Sequence, residues 1–306
     1  MEQQVLQLLQ ATTRPDTAVI RDAEQSLLRL YPQQEFPFAL LTIASHNDIE
    51  SSSRKAALTA LKNYVSTTWS PQFDETFTGQ VYLSDEAKAR VREQVFAICT
   101  LEGNQAPKDA TIQALAAGVA SKIATVDFPD AWPSLFPSLL TILETSTDDA
   151  PIHGALRVLA ELVDEGLTEE QFFVVARDLV NALQHVAVDH NRGLIVRAMT
   201  LNVFRACFEM LEMVMADHGA AVKQFLTESL KAWMPFFMET LKQPLPEIVK
   251  SNDAHLRGLV ALKVQVVKAR PVHNITLGNT TNCILDTGQT QIGLRTGHFA
   301  PCNRPI

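Results

Sequence analysis

Glycine is scarce here, 12 residues in 306, and an all-β chain, whose tight turns need glycine's freedom at positive φ, is not expected. Cysteine is scarcer. Cys99, Cys207, Cys283 and Cys302 lie far apart with no Cys-x-x-Cys pair, so neither a disulfide framework nor a zinc site is indicated and a reducing compartment is the default. Positive charge is in deficit: 26 Lys and Arg face 34 Asp and Glu, a net charge of -8. A nucleic-acid binder would need the opposite balance; an acidic receptor for basic proteins fits it better. No apolar run approaches the roughly 20 residues of a membrane span. The first ten residues, Met1 to Gln10, lack both the basic start and the apolar core of a signal peptide. Catalytic signatures are missing too, with no His-Glu-x-x-His, no Gly-x-Ser-x-Gly and no phosphate-cradling glycine loop. The eight histidines are scattered, and His185 and His190 miss the i, i+4 spacing of one helical face. No enzymatic activity, cofactor or metal is expected.

What the chain has instead is helical periodicity. Val5, Leu6, Leu8 and Leu9 mark a first amphipathic helix that ends before Pro15, because the residue ahead of a proline is pushed out of the α region. Asp16 caps a second, with Ile20, Ala23, Leu27, Leu30 and Tyr31 as its stripe. A third runs from Phe36 to Ala44. Ser84 opens another with Ala87, Val91, Val95, Ile98 and Cys99, and Ile112 to Ile123 follows. Leu135 to Leu143 and Ile152 to Val163 are joined by an acidic turn at Asp148 and Asp149. Thr168 with Gln171 forms a capping box for a helix through Leu183. Ile195 to Met215 ends rich in Met, and Val222 to Leu241 and Glu247 to Lys268 make the last pair. First helices recur every ~40 residues, the interval of HEAT or armadillo repeats. About six hairpins result, each unable to bury its stripe alone, so an all-α solenoid of stacked neighbours is predicted.

Two stretches stand out. Residues 53 to 69 read Ser-Arg-Lys-Ala-Ala-Leu-Thr-Ala-Leu-Lys-Asn-Tyr-Val-Ser-Thr-Thr-Trp. At 100° per residue Ala57, Ala60, Leu61, Tyr64 and Thr68 gather on one side and Lys55, Thr59, Lys62 and Ser66 on the other. Asp127-Phe-Pro-Asp-Ala-Trp-Pro-Ser-Leu135 is a proline-fixed corner in which Pro133 suits a helix's first turn. Trp69, Trp132 and Trp233 read as packing residues at repeat junctions, and Asp127 as a corner former.

The first stretch, together with Ala23-Glu24-x-x-Leu27, resembles the opening repeats of the importin-β N-terminal domain, and the corner resembles a second motif of the same nuclear transport receptors. The resemblance spans about residues 1 to 268. It implies a HEAT-repeat arch divided into 1–69, the importin-β N-terminal-like region, and 70–270, further repeats. It implies Ran-GTP on the concave side, with Arg54, Lys55, Lys62 and Asn63 as contacts, Arg54 nearer the apolar edge and suited to binding the neighbouring repeat. Protein cargo, expected to be basic, would bind elsewhere on the arch, and Phe-Gly nucleoporins in outer grooves between helices. The protein would be a monomer shuttling between cytoplasm and nucleus through the nuclear envelope. An import receptor is the expectation; an exporter of the same family or a HEAT scaffold that ignores Ran are the alternatives. Such receptors are much longer than this chain.

Residues 271–306 differ. They hold only three charged side chains, Asp286, Arg295 and Arg304, and show no helical period, so a non-helical tail outside the stack is predicted. It reads as a retained intron or frame error. The Asn274 and Asn279 sequons are then chance matches.

Overall fold

The computed structural model describes residues 1–73, 79–100, 110–213, 215–244 and 254–269. The tail at 271–306, residues 103–107 and residues 245–253, which include the start of the helix expected from Glu247, lie outside the described residues. Twelve helices are present among the described residues: α1 (Glu2–Thr12), α2 (Thr17–Leu28), α3 (Phe36–Ser45), α4 (Ser51–Thr68), α5 (Asp85–Thr100), α6 (Ala110–Asp127), α7 (Leu135–Thr145), α8 (Asp149–Glu161), α9 (Glu169–Val188), α10 (Leu194–Met213), α11 (Met215–Lys242) and α12 (Ala254–Lys268). No strand is described, and the all-α HEAT-type solenoid expected from the periodicity is what forms.

Local chemistry sets the helix ends. The Asp16 carboxylate accepts from Ala18 N at 2.9 Å and Val19 N at 3.3 Å, which starts α2. Thr168 and Gln171 close the capping box of α9 in both directions. Both devices satisfy amides that have no partner inside the helix. Three boundaries differ from the sequence reading. The second helix stops at Leu28, and Leu30 and Tyr31 reach the core from the turn that follows. Pro133 sits ahead of α7, whose N-cap is Ser134, because the corner's carbonyl at Asp127 takes the amides of both Ala131 and Trp132 at 2.7 Å and keeps the chain turning. And α11 begins at Met215, earlier than Val222.

Consecutive helices pair into six hairpins, α1 with α2 through α11 with α12, and the hairpins stack. Two layers result. The even-numbered helices form a continuous row from α4 through α6, α8 and α10 to α12, while α1 with α3, α3 with α5, α7 with α9 and α9 with α11 form the other layer. From α4 to α12 the even-numbered neighbours pack more extensively on one another than the odd-numbered ones do. Two contacts cross between the layers, α1 on α4 and α5 on α8, the latter in addition to the packing of α5 on its partner α6. Gly154 on α8 allows the latter, since a Cβ there would lie 1.8 Å from the Cys99 carbonyl oxygen on α5.

A single apolar core threads all six hairpins, from Val5 and Leu9 to Leu262 and Val266. Tyr31, Phe36 and Tyr64 form one aromatic knot, with Tyr31 and Tyr64 edge to face at 5.0 Å. Phe204, Phe208, Trp233 and Phe237 form another, with Trp233 stacked on Phe204 at 4.0 Å. Aromatics do this because they bury the most area per residue ordered.

Candidate functional site

On α4 the period of 3.6 separates two faces. Ala57, Leu61, Tyr64 and Thr68 are buried, Ala60 is half-buried against the core, Thr59, Lys62 and Asn63 are exposed, and Lys55 and Ser66 are half-buried. The hydroxyls on the open side turn back on their own helix: Thr59 Oγ1 donates to the Lys55 carbonyl at 3.0 Å, Ser66 Oγ to Lys62 O at 2.9 Å and Thr67 Oγ1 to Asn63 O at 2.9 Å. Lys62 and Asn63 are then the exposed polar groups of this face, with Lys55 half-buried beside them. The Lys62 ammonium lies across α6, 3.5 Å from where a Cβ on Gly118 would stand.

Arg54 is placed differently from its neighbours. It is only 4% exposed, and its Nε donates to the Ala44 carbonyl near the end of α3 at 2.9 Å. A guanidinium used this way closes its own hairpin and is withdrawn from the polar face. The same device recurs three hairpins on, where Arg197 near the start of α10 donates Nε to Ala187 O near the end of α9 at 2.8 Å. Each lock satisfies a helix C-terminal carbonyl with a cation that complements the dipole there. Counted from these arginines, Lys62 and Arg205 occupy the same place on α4 and α10.

The even-numbered helices carry further cations. Lys122 on α6, Arg157 on α8 and Arg205 on α10 are all half-exposed. Arg157 Nε approaches His153 Nδ1 at 3.5 Å. Burial, then the Arg157 charge, pull His153 below its ordinary range against the weaker opposing effect of Asp149. Arg205 is bound to Glu209 and, at 3.4 Å, to Asn202. Lys62, Lys122, Arg157 and Arg205 thus lie on successive even-numbered helices of a chain whose net charge is -8.

The two sequence motifs meet in space. Trp69 Nε1, at the end of α4, donates to Asp127 Oδ1 at 3.0 Å, and Arg92 Nη1 on α5 donates to Asp127 Oδ2 at 2.6 Å. Asp127 is 6% exposed. Its carboxylate therefore ties the second hairpin to both helices of the third, a role beyond the corner former expected from the sequence. Trp132 packs edge to face on Phe96, in keeping with its expected packing role. Lys88 sits over the Trp69 ring at 5.5 Å.

The outer layer has its own feature. Between α9 and α11 lies a cavity of about 480 Å³ lined by Phe173, Ala176, Arg177, Val222 and Phe225, with Leu211 of α10 and Glu170 completing it. Arg177 stands over the Phe225 ring at 5.2 Å. Sequence reading missed this pocket: Phe173 and Phe225 are 52 positions apart and each looks like ordinary core.

Residues 23–99 match the family model described as importin-beta N-terminal domain. Importin subunit beta-5 of Schizosaccharomyces pombe is 32% identical over 240 residues, 78% of this chain and 23% of that protein. Exportin-2 of Drosophila melanogaster is 25% identical over 273 residues, 84% of this chain and 27% of that protein. A solved Kap95:Nup1 complex shares the fold with a TM-score of 0.63 at 16% identity, covering 90% of this chain and 31% of that one. The chain thus spans about a quarter of the length of the curated relatives it matches.

Proposed function

The chain belongs to the importin-β family of nuclear transport receptors, and from that premise we propose that it is the Ran-GTP-engaging N-terminal part of a nuclear import receptor. What supports this reading is the exposure of Lys62 and Asn63, with Lys55 half-buried beside them, on the polar face of α4 inside the matched residues 23–99. Arg54 supports them by fixing the hairpin on which they stand. Residues 1–69 are the unit that meets Ran first, and 70–270 extend the same row of helices.

The proposed mechanism is a switch by competition. Ran-GTP on the cations of the even-numbered helices and cargo on the arch each lower the other's affinity, and the coupling is reciprocal. A basic cargo would avoid the cations of α4 to α10 and lie elsewhere on the arch. The aromatic cavity between α9 and α11 has the character of a site for a phenylalanine of a Phe-Gly nucleoporin: apolar walls, an outer position and a size for one ring with its neighbours. The similar solved chain bound to Nup1 supports that partner class. Shuttling between cytoplasm and nucleus, across the nuclear envelope, follows from this function.

The fission-yeast importin favours import. The fly exportin keeps export as the second reading, in which Ran-GTP and cargo bind together. Cargo affinity measured with and without Ran-GTP separates them: a fall means import, a rise export. For Ran itself, the full chain is titrated with Ran loaded with GTP or GDP. Binding is expected to be stronger for the GTP state, and Lys55→Glu with Lys62→Glu is expected to weaken it at least ~10-fold, about 1.4 kcal/mol, with an unchanged melting temperature. Equal binding of both nucleotide states would point to a scaffold; an unchanged Kd in the double variant would remove these lysines from the interface.

A further inference from the structure

The cavity between α9 and α11 carries more than its apolar walls. Glu170 and Arg177 both line it, and they stand seven residues apart on α9, so they share one side of the helix about 10 Å apart along its axis. Val174 lies between them on that side and is 76% exposed, the most of any large apolar side chain among the described residues. The Glu170 carboxylate has no hydrogen bond or ion pair among the described residues. Arg177 is 68% exposed and engaged at its face, where the guanidinium lies over the Phe225 ring at 5.2 Å. Its nearest carboxylate, Glu228 of α11, stands 4.0 Å away, beyond hydrogen-bond reach, and is itself held by Gln224 at 2.8 Å. A guanidinium stacked on a ring keeps its N–H groups at the edge, free to donate.

The charges decide what can lie across these groups. Two carboxylates, Glu170 and Glu228, stand beside one guanidinium, so an anion is repelled from the rim as a whole, and a cation placed against Glu170 leaves the Arg177 donors unused. A neutral ligand that donates at one end and accepts at the other uses both. A peptide backbone does so, and at about 3.4 Å per residue an extended segment of about three residues crosses the distance. Its middle side chain then meets the apolar floor at Ala176, Val222 and Phe225, and its backbone covers Val174.

We propose that Glu170 and Arg177 form a backbone clamp: Arg177 donates to a peptide carbonyl and Glu170 accepts from a peptide N–H, one on each side of the inserted ring. The site therefore selects an extended aromatic segment whose flanking residues carry no negative charge. The clamp rests on the reading of the cavity as the seat of a phenylalanine, and adds to it the two residues that hold the chain on either side and the charge they reject.

The test is ligand-observed NMR titration of the full chain with the synthetic peptide Ser-Ala-Phe-Gly-Ser, blocked at both ends. Saturable binding is expected, and Phe225→Ala, checked for folding by circular dichroism, should abolish it. Glu170→Ala and Arg177→Met, the latter keeping an apolar stem over Phe225, should each weaken it ~3- to 10-fold, as the loss of one hydrogen bond does. Replacing each peptide amide in turn by an ester removes the N–H and weakens the carbonyl, a readout that a merely structural role would not move. At least one ester should weaken binding to the native chain and lose its effect in Glu170→Ala, and at least one should do the same in Arg177→Met. The peptide Asp-Ala-Phe-Gly-Asp should bind ~3-fold more weakly than the serine peptide, and the gap should narrow in Glu170→Ala. No saturable binding, or binding unchanged in Phe225→Ala, would overturn the reading of the cavity and the clamp with it. Binding lost in Phe225→Ala but unchanged in Glu170→Ala and Arg177→Met, ester effects that persist in full in both variants, or an aspartate peptide that binds as tightly as the serine one would overturn the clamp alone.

Discussion

Asp127 shows how much can rest on one side chain. Its two oxygens serve Trp69 and Arg92, both almost out of water, and removing the acid strands a cation with nothing to offset its desolvation. Asp127→Ala is expected to cost about 3 to 5 kcal/mol, the range for breaking one partner of a buried ion pair, measured as a shift in denaturant midpoint at constant slope. Trp69→Phe keeps the charge pair and loses one hydrogen bond, so it should cost less. If the two cost the same, the carboxylate contributes through the indole alone. The sequence named Asp127 and Trp69 as separate motif positions, each legible by residue type. That they touch was not legible, because 58 residues of intervening chain must fold before the two side chains share a pocket. The lysines were legible for the opposite reason. Their face is fixed by the 100° turn of one helix, and no tertiary contact is needed to place them.

For single helices, glycine separates tolerance from constraint. Gly118 and Gly154 both sit inside helices, where glycine costs about 1 kcal/mol relative to alanine. Around Gly118 a methyl would meet only the flexible Lys62 ammonium at 3.5 Å, so Gly118→Ala is expected to raise stability by about 0.5 to 1 kcal/mol. Around Gly154 it would strike the α5 backbone at 1.8 Å. Gly154→Ala should therefore push α5 and α8 apart and cost about 3 kcal/mol or more. Melting temperatures of the pair decide the matter, and a neutral Gly154→Ala would mean that the α5–α8 contact is loose. The same helix carries a pH response. His153 has a folded-state pKa depressed below 6.5 by burial and by Arg157, so as pH falls through 6.5 the unfolded chain takes up the proton first and stability drops. Thermal scans between pH 7.5 and 5.5 should show this loss, and His153→Gln should show less of it; an identical slope would exclude His153 as its source. Helix starts were read well from Asp16 and from Thr168 with Gln171 because capping is local chemistry. The early start of α11 was not, since Met215 to Ala221 carry no cap that sequence spacing reveals.

Across the whole molecule, stability should be divided rather than shared. Among the described residues the extensive contacts run within hairpins and between neighbouring ones, so the stack behaves as a chain of nearest-neighbour interfaces. The forty-residue period made this architecture readable from the sequence, while the two layers were not, because which helices of successive hairpins meet is decided only once they pack. The two hairpin locks allow a direct check. Arg54 and Arg197 make the same bond, Nε to a carbonyl ten residues earlier, at sites separated by two whole hairpins. Arg54→Gln removes the charge-assisted bond in the second hairpin, and Arg197→Gln does so in the fifth. Hydrogen exchange read by mass spectrometry should then rise in α3 and α4 and their immediate neighbours for the first variant, leaving α9 to α12 unchanged, and the reverse should hold for the second. A uniform rise along the chain in either variant would mean that the six hairpins open as one cooperative unit. The arch could then not flex repeat by repeat, and the proposed competition between Ran-GTP and cargo would need a global change of shape instead of small adjustments shared over many interfaces.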